Sequence, residues 1–283
     1  MTDQVLRQLA RLPLGCFRAA GWGLGVALGV LAWPRRRVVV RNLRHCFPDR
    51  SPEWHRRVTR LVFVRFAQSW CDRIWLWHGD EALLRQRLQC HVVGEPWDRA
   101  VVLFAPHVMG LDAGWTALTL VQTQPMVTLF ARTSSPRQDR WIASGRSRFA
   151  PHGLLPRVGS AKAVVRQLRD GASVYLLPDM DLGAKDAVFV PFMGRTAATV
   201  TALPRFASLG RAPVRPVFTL MTKSGYTTQV GEVWANYPSG DDAADAARMN
   251  AQLEQWVLQH PEQYYWVHRR FKTRQGNDPD IYA

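Results

Sequence analysis

Between residues 92 and 260, short and almost wholly apolar runs alternate with amphipathic segments, and this alternation constrains the fold more than any other feature. The runs are VVLFA (101–105), MVTLFA (126–131), SVYLLPD (173–179), AVFVPF (187–192) and PVRPVFTL (213–220). Strands that are apolar throughout are typical of parallel sheets covered by helices on both faces. The pattern therefore predicts an α/β fold: an αβα sandwich with a mostly parallel central sheet.

Helical segments lie before, between and after these runs. Ser51-Pro52-Glu53 supplies an N-cap, a first-turn proline and an early acid for a long helix over 53–78. Residues 160–171 and 197–210 predict two further helices, the second interrupted at Pro204, and 241–260 predicts a C-terminal helix. No repeat or linker divides 51–283. We therefore expect one catalytic domain there, preceded by an N-terminal anchor and basic elbow over 1–50.

The N-terminal segment combines an apolar stretch with flanking arginines. Residues 19–33 carry no charge, and Arg-Arg-Arg follows at 35–37. A spanning helix needs about 20 apolar residues, so spanning and lying within one leaflet both stay open, with a short buried core helix as the alternative. The stretch lacks a cleavage site, which favours a retained hydrophobic membrane anchor. Gly21, Gly25 and Gly29 share one helical stripe and allow close packing.

Charge is concentrated in the same region. The formal net charge is +15, and residues 1–75 hold 14 arginines against four acids, or +10. Nucleic acid and an anionic membrane both attract such a segment, but the arginines border an apolar stretch and no nucleic-acid motif accompanies them. The four cysteines form no C-x-x-C pair, which argues against a zinc knuckle, a redox motif or a disulfide scaffold. We expect most of the chain to face a reducing compartment.

A candidate reaction centre follows the first apolar run, in APHVMGLDAG (105–114). His107 and Asp112 would lie about 140° apart on a helix, so the histidine must precede the helix. Open α/β sheets bind ligands at the carboxyl ends of their strands, and Asp112 there would fix the imidazole tautomer. The alternative is an ordinary loop histidine followed by a helix N-cap. Serine-hydrolase, P-loop and H-E-x-x-H motifs are absent, and a His-Asp pair without its own nucleophile suits direct acyl transfer.

From about residue 35 to its end, the sequence resembles the bacterial lipid A late acyltransferases, which include lauroyl and myristoyl transferases of the Kdo-bearing lipid A precursor. The segments that carry the resemblance are RNLRHCFPDRS (41–51), the H-x4-D of His107 and Asp112, GRSR (145–148), LLPDMD (176–181), VFVPFMGRTAAT (188–199) and PEQYYWVHRRFKTR (261–274). H-x4-D alone is a weak signal, but the ordered set is specific. The resemblance implies a glycerolipid-acyltransferase-like fold.

The resemblance also implies roles for individual residues. His107 becomes the general base and Asp112 its orienting carboxylate, although family members often have glutamate at the latter position. Arg146 matches a family arginine tied to activity, with a solvated surface charge as the alternative. Further substrate-binding candidates are Arg132, Arg148, Asp179, Asp181, Thr199, Arg269 and Arg270. Asp179 with Asp181 could instead be a turn pair, and the arginines of HRRFKTR a solvated helix end.

The resemblance, together with the apolar anchor and its arginines, implies an inner-membrane enzyme whose catalytic domain faces the cytoplasm. It would move a fatty acyl chain from an acyl carrier protein thioester, or from coenzyme A, to a hydroxyl of the lipid A precursor. Its other partners would be membrane lipids, and it would need no metal or redox cofactor. Two alternatives are a different glycolipid or aminolipid acceptor, and a basic membrane-associated nucleic-acid-binding protein.

Overall fold

The computed structural model describes residues 3–95, 97–150, 153–276 and 278–283. The helices are α1 (Asp3–Ala10), α2 (Leu14–Leu31), α3 (Trp33–Cys46), α4 (Pro52–His78), α5 (Glu81–Arg87), α6 (Leu111–Val121), α7 (Pro136–Arg146), α8 (Ala161–Arg169), α9 (Ala202–Gly210) and α10 (Asp242–Gln259). The strands are β1 (Leu88–Val92), β2 (Val102–Phe104), β3 (Met126–Phe130), β4 (Leu154–Pro156), β5 (Ser173–Leu176), β6 (Ala187–Phe192), β7 (Arg195–Val200), β8 (Val214–Met221) and β9 (Tyr226–Val230).

Seven strands form the main sheet in the order β1-β9-β8-β2-β5-β3-β4. All neighbours in it run parallel except β8 and β9, which are antiparallel. The predicted α/β fold with a mostly parallel sheet is therefore confirmed. β1, β4 and β9 were not predicted, because β4 has only three residues and because polar residues interrupt β1 and β9. The likeness to glycerolipid acyltransferases stays a prediction.

The packing of strand β2 explains why its residues are all apolar and do not alternate with polar ones. Val102 and Phe104 belong to one buried cluster, which includes Leu168 of α8. Leu103 lies in a second cluster, which includes Trp115 of α6. Successive strand side chains point to opposite faces, so β2 is covered by helices on both sides.

Two sequence predictions fail around residue 197. The strand over 187–192 exists, but it pairs with β7 in a separate antiparallel hairpin, whose turn places Met193 and Gly194 at positive φ. Residues 197–200 consequently belong to a strand and not to the predicted helix. Pro204 lies in the first turn of α9, where its missing N–H costs no hydrogen bond, so it does not interrupt that helix.

Within the described residues one helix, α2, is long and apolar enough to cross a membrane by length and composition. Only 17% of it is buried, which excludes the buried core helix. Its glycine stripe packs against α4: a methyl group at Gly25 would lie 2.4 Å from Val64 Cα, and one at Gly21 2.5 Å from Gln68 Cα. The predicted close packing is thus confirmed. The exposed side carries large apolar side chains, Trp22, Leu24, Leu28, Val30 and Leu31.

Gly25→Leu is expected to push α2 off α4, because its side chain would overlap the Val64 backbone. Overpacking of this kind costs about 1–3 kcal/mol or more. The measurement is thermal unfolding of the purified protein in detergent. Gly23→Leu is the control, since among the described residues no atom lies within 4 Å of a Cβ at Gly23. Equal melting temperatures for the two variants would contradict the observed helix contact.

Candidate functional site

His107 lies three residues beyond the carboxyl end of β2, and a buried carboxylate holds it there. The imidazole Nδ1 is 2.7 Å from Asp179 Oδ1, and the backbone N–H of His107 donates to both carboxylate oxygens at 3.1 Å. The Asp179 side chain is 0% exposed, whereas that of His107 is 21% exposed. The backbone N–H of Tyr265 donates to the His107 carbonyl at 3.0 Å. Both the ring and the main chain of His107 are therefore fixed.

The carboxylate determines which imidazole nitrogen is basic. Burial alone would raise the pKa of Asp179, but the adjacent His107 ring and backbone N–H outweigh burial and lower that pKa below its ordinary value. An ionised Asp179 only accepts hydrogen bonds, so Nδ1 carries the proton and donates it. Nε2 of a neutral ring is then left free to take a proton.

The prediction that Asp112 orients His107 is wrong. Asp112 lies in the first turn of α6, where its carboxylate binds two arginines. Arg146 Nε donates to Oδ1 at 2.7 Å, while Arg73 donates to Oδ2 through Nε at 2.8 Å and contacts the same oxygen through a terminal nitrogen at 2.6 Å. The physical reason is the position of Asp112 in the first turn of α6, which directs its carboxylate towards α4 and the end of α7.

Asp112, Arg73 and Arg146 together carry a net charge of +1. Burial would raise the pKa of the Asp112 carboxyl, but Arg146 and Arg73 outweigh it and hold that pKa at about 2. All three side chains are largely buried, and Arg73 also stacks on Trp70, with its guanidinium carbon 3.7 Å from the ring centroid. Sequence analysis did not identify Arg73, because nothing in the sequence distinguishes it from the other arginines on α4.

Asp112→Ala is expected to destabilise the fold by about 3–5 kcal/mol, because it leaves two buried guanidinium groups without a counter-charge. The lowered pKa means that the contribution of Asp112 is complete above its unfolded value of 3.8 and is lost as the pH falls towards 2. Urea unfolding at pH 7 measures the loss. Asp170→Ala, which removes the partner of the exposed Arg166, is the control and should cost under about 1 kcal/mol. Equal losses would contradict a buried charge cluster.

Partly exposed aromatic side chains connect this charge cluster with His107. The ring of Tyr265 lies 6.4 Å from that of His107, and Phe66 lies 6.1 Å from both Tyr265 and Trp70. Phe66, Trp70 and Arg73 follow one stripe of α4, at the i, i+4, i+7 spacing of a helix face. An apolar surface therefore leads from the imidazole to the Arg73–Asp112 ion pair.

The remaining aspartate candidate, Asp181, is a structural clamp. Its side chain is buried and accepts bonds of 2.7 Å from the backbone N–H and the hydroxyl of Thr273. Its own N–H donates to His268 Nε2 at 2.9 Å. Burial lowers the pKa of His268 to about 4, so this ring is neutral and accepts. Asp181 thus joins the loop after β5 to the C-terminal segment, which corrects its substrate-binding role.

The substrate-binding roles predicted for Arg270 and Thr199 are also corrected, because both side chains form hydrogen bonds within the protein interior. Arg270 is 1% exposed and donates to the Ala198 carbonyl at 2.7 Å and to the Thr199 hydroxyl at 2.9 Å. This pair joins β7 to the C-terminal segment. Sequence alone could not distinguish Arg270 from its exposed neighbour Arg269.

The other candidate arginines lie nearer the surface. Arg132 and Arg269 are exposed, and Arg269 lies over the Tyr282 ring at 5.5 Å. Arg148 lies over Phe149 at 4.8 Å and lines a cavity with His78. Their substrate-binding roles stay predictions. In the described ranges, no group of three or more His, Cys, Asp or Glu side chains gathers in a way that could hold a metal ion.

His107 lies at the carboxyl edge of a mostly parallel sheet, and Asp179 lies on the loop after the neighbouring strand. This edge is where open α/β proteins bind their ligands. The chain belongs to the bacterial lipid A biosynthesis acyltransferases, since the sequence model of that family matches residues 3–273. It is an acyltransferase, and the resemblance stated from the motifs is confirmed.

Curated relatives agree with this assignment. The chain is 29% identical to the lipid A biosynthesis palmitoleoyltransferase of Escherichia coli K12, with 95% of this chain and 89% of that one covered. It is also 29% identical to the lipid A biosynthesis lauroyltransferase of the same strain, with coverage of 98% and 92%. A lipid A biosynthesis acyltransferase of Haemophilus influenzae is 29% identical, with coverage of 98% and 91%.

Proposed function

We propose that this acyltransferase moves a fatty acyl chain from an acyl carrier protein thioester to a hydroxyl of the lipid A precursor, with His107 as general base. The observation that carries the proposal is the 2.7 Å contact between His107 Nδ1 and the buried Asp179, which leaves the second ring nitrogen available. Relatives named for palmitoleoyl and lauroyl transfer in lipid A biosynthesis support the reaction class and the acceptor.

In the proposed reaction, Nε2 of His107 takes the proton of the acceptor hydroxyl as its oxygen attacks the thioester carbonyl. The new C–O bond forms, the carbonyl oxygen gains negative charge, and collapse of this intermediate breaks the C–S bond. The imidazolium then returns its proton to the departing thiolate. Asp179 stays ionised throughout and stabilises the imidazolium. No metal or redox cofactor enters this balance.

The arginines of the Asp112 cluster supply the second component of the proposal. Donors aimed at a developing oxyanion are usually the largest electrostatic contribution to acyl transfer. Arg146 and Arg73 bring two positive charges against one carboxylate in a partly buried setting, so one charge is left for an oxyanion or a lipid phosphate. Asp112 is then a positioning residue that holds both guanidinium groups.

We further propose that the protein works at the inner membrane with its catalytic domain on the cytoplasmic side. The exposed apolar side of α2 and the adjacent arginines support membrane attachment. All four cysteines are free, which suits a reducing compartment.

The mass spectrum of lipid A from cells with and without the gene tests the proposed acceptor. We expect the lipid A of the deletion strain to lack one acyl chain, and a plasmid copy of the gene to restore it. An unchanged spectrum, with altered mass in another glycolipid or an aminolipid, would assign the enzyme to a different acceptor. Purified enzyme offered acyl carrier protein and coenzyme A thioesters in parallel then identifies the donor.

A further inference from the structure

Helices α2 and α4 separate towards the C-terminal end of α2 and leave a groove between them. At Gly25 a methyl group would overlap the α4 backbone, whereas at Gly29 the nearest atoms belong to Phe63 at an ordinary 3.7 Å. The groove encloses about 460 Å³. Gly29, Val30 and Phe63 form its apolar side. It is thus continuous with the exposed apolar surface of α2.

The opposite side of this groove is strongly basic. Arg36 of α3 and Arg56, Arg57 and Arg60 of α4 line it together with one acid, Glu53, for a net charge of +3. Glu53 is engaged by Arg56 at 2.7 Å. In the part of the chain that the structure describes, no carboxylate lies within ion-pair distance of Arg36, Arg57 or Arg60. Three guanidinium groups are therefore available for a ligand.

We infer that this groove binds the headgroup phosphate of an anionic bilayer glycerophospholipid, with the acyl chains continuing along α2. The inference rests on the membrane location proposed above. Guanidinium groups bind phosphate oxygens in pairs of parallel hydrogen bonds. A cluster of arginines beside a membrane-contacting apolar helix has the charge expected of an anionic lipid site. Glycerophospholipids combine the phosphate and the hydrocarbon that the two sides of the groove require.

The groove lies apart from the reaction centre, on the N-terminal part of α4, whereas Arg73 contributes to the Asp112 cluster near the C-terminal end of that helix. The lipid would therefore anchor and orient the enzyme and take no part in the transfer. Loss of this lipid should weaken membrane attachment without removing any group that contacts the acyl donor.

Lipid binding by the purified full chain in dodecyl maltoside tests the inference. Dioctanoyl phosphatidylglycerol and dioctanoyl phosphatidylcholine are titrated separately and followed by native mass spectrometry and by Tm. We expect phosphatidylglycerol to bind and to raise Tm, and phosphatidylcholine to do neither. The double variant Arg57→Gln with Arg60→Gln should bind phosphatidylglycerol roughly 25-fold more weakly, because each lost charge lowers the affinity about fivefold.

Two further variants separate the groove from diffuse charge. Arg41→Gln with Arg44→Gln removes the same charge from α3 outside the groove, and its affinity should stay within about twofold. Gly29→Leu keeps every charge but fills the apolar side, and it should weaken binding as well. Equal binding of the two lipids, or equal losses in the two double variants, would overturn the inference.

Two other results would be diagnostic. If phosphorylated lipid A precursor binds this groove and phosphatidylglycerol does not, the groove belongs to the acceptor and the assignment to a bilayer lipid fails. Because no acyl donor is present, the experiment is independent of turnover. If the enzyme binds phosphatidylglycerol but transfers no acyl chain, only the proposed function is contradicted. If it transfers acyl chains but binds both lipids equally, only this inference is contradicted.

Discussion

His107→Ala is expected to reduce kcat by about 10²–10⁴, the usual contribution of a positioned general base. The ring is partly exposed and its backbone N–H still reaches Asp179, so the variant should fold and attach to membranes. The measurement is acyl transfer to the lipid A precursor by purified enzyme under saturating donor. Arg166→Ala, an exposed residue of α8, is a control and should transfer at the wild-type rate. Wild-type transfer by His107→Ala would remove the proposed mechanism.

Asp179→Asn is expected to lower kcat by a comparable factor. An asparagine amide presents N–H groups to Nδ1, which favours the tautomer with its proton on Nε2 and so blocks the base. The same change in Ser-His-Asp enzymes costs about 10⁴ in kcat. Because the side chain keeps its shape, folding should be largely preserved, and circular dichroism with a KM measurement checks this.

Asp181→Asn is the matched control for that variant. It lies two residues away in the same loop and is equally buried, but its carboxylate contacts Thr273 and not the imidazole. We expect it to lower Tm and to leave kcat of the folded protein nearly unchanged. Equal kcat losses in the two variants would indicate that any substitution in this loop lowers kcat. That result would contradict a specific role of Asp179.

The position of Asp179 could have been derived from the sequence, although the pairing with His107 was not predicted. Strands β2 and β5 are parallel neighbours in which Phe104 pairs with Leu176. His107 and Asp179 each follow their strand by three residues, so they reach the same height above the sheet edge. Sequence reasoning placed both strands correctly but assigned the partner by closeness along the chain, which favoured Asp112. Adjacency in the sheet decided the pairing instead.

Other parts of the site depend on contacts that the sequence does not specify. Arg73 reaches Asp112 because α4 packs across the start of α6, and no local pattern encodes that crossing. Arg270 and Arg269 are neighbours with identical side chains, yet one is buried and the other exposed. Residues 197–200 of β7 were predicted as helix, because the short run AATV fits the periodicity of a helix and that of a strand.

The most direct test of the central claim, that Asp179 acts through His107, is the kcat/KM of four enzymes: wild type, His107→Ala, Asp179→Asn and the double variant. Residues that act as one unit have strongly non-additive effects. The account predicts that the double variant transfers acyl chains within about threefold of the rate of His107→Ala alone, since Asp179 has nothing left to orient. A double variant slowed by the product of the two single losses would show that Asp179 acts independently of the imidazole, and would contradict the account.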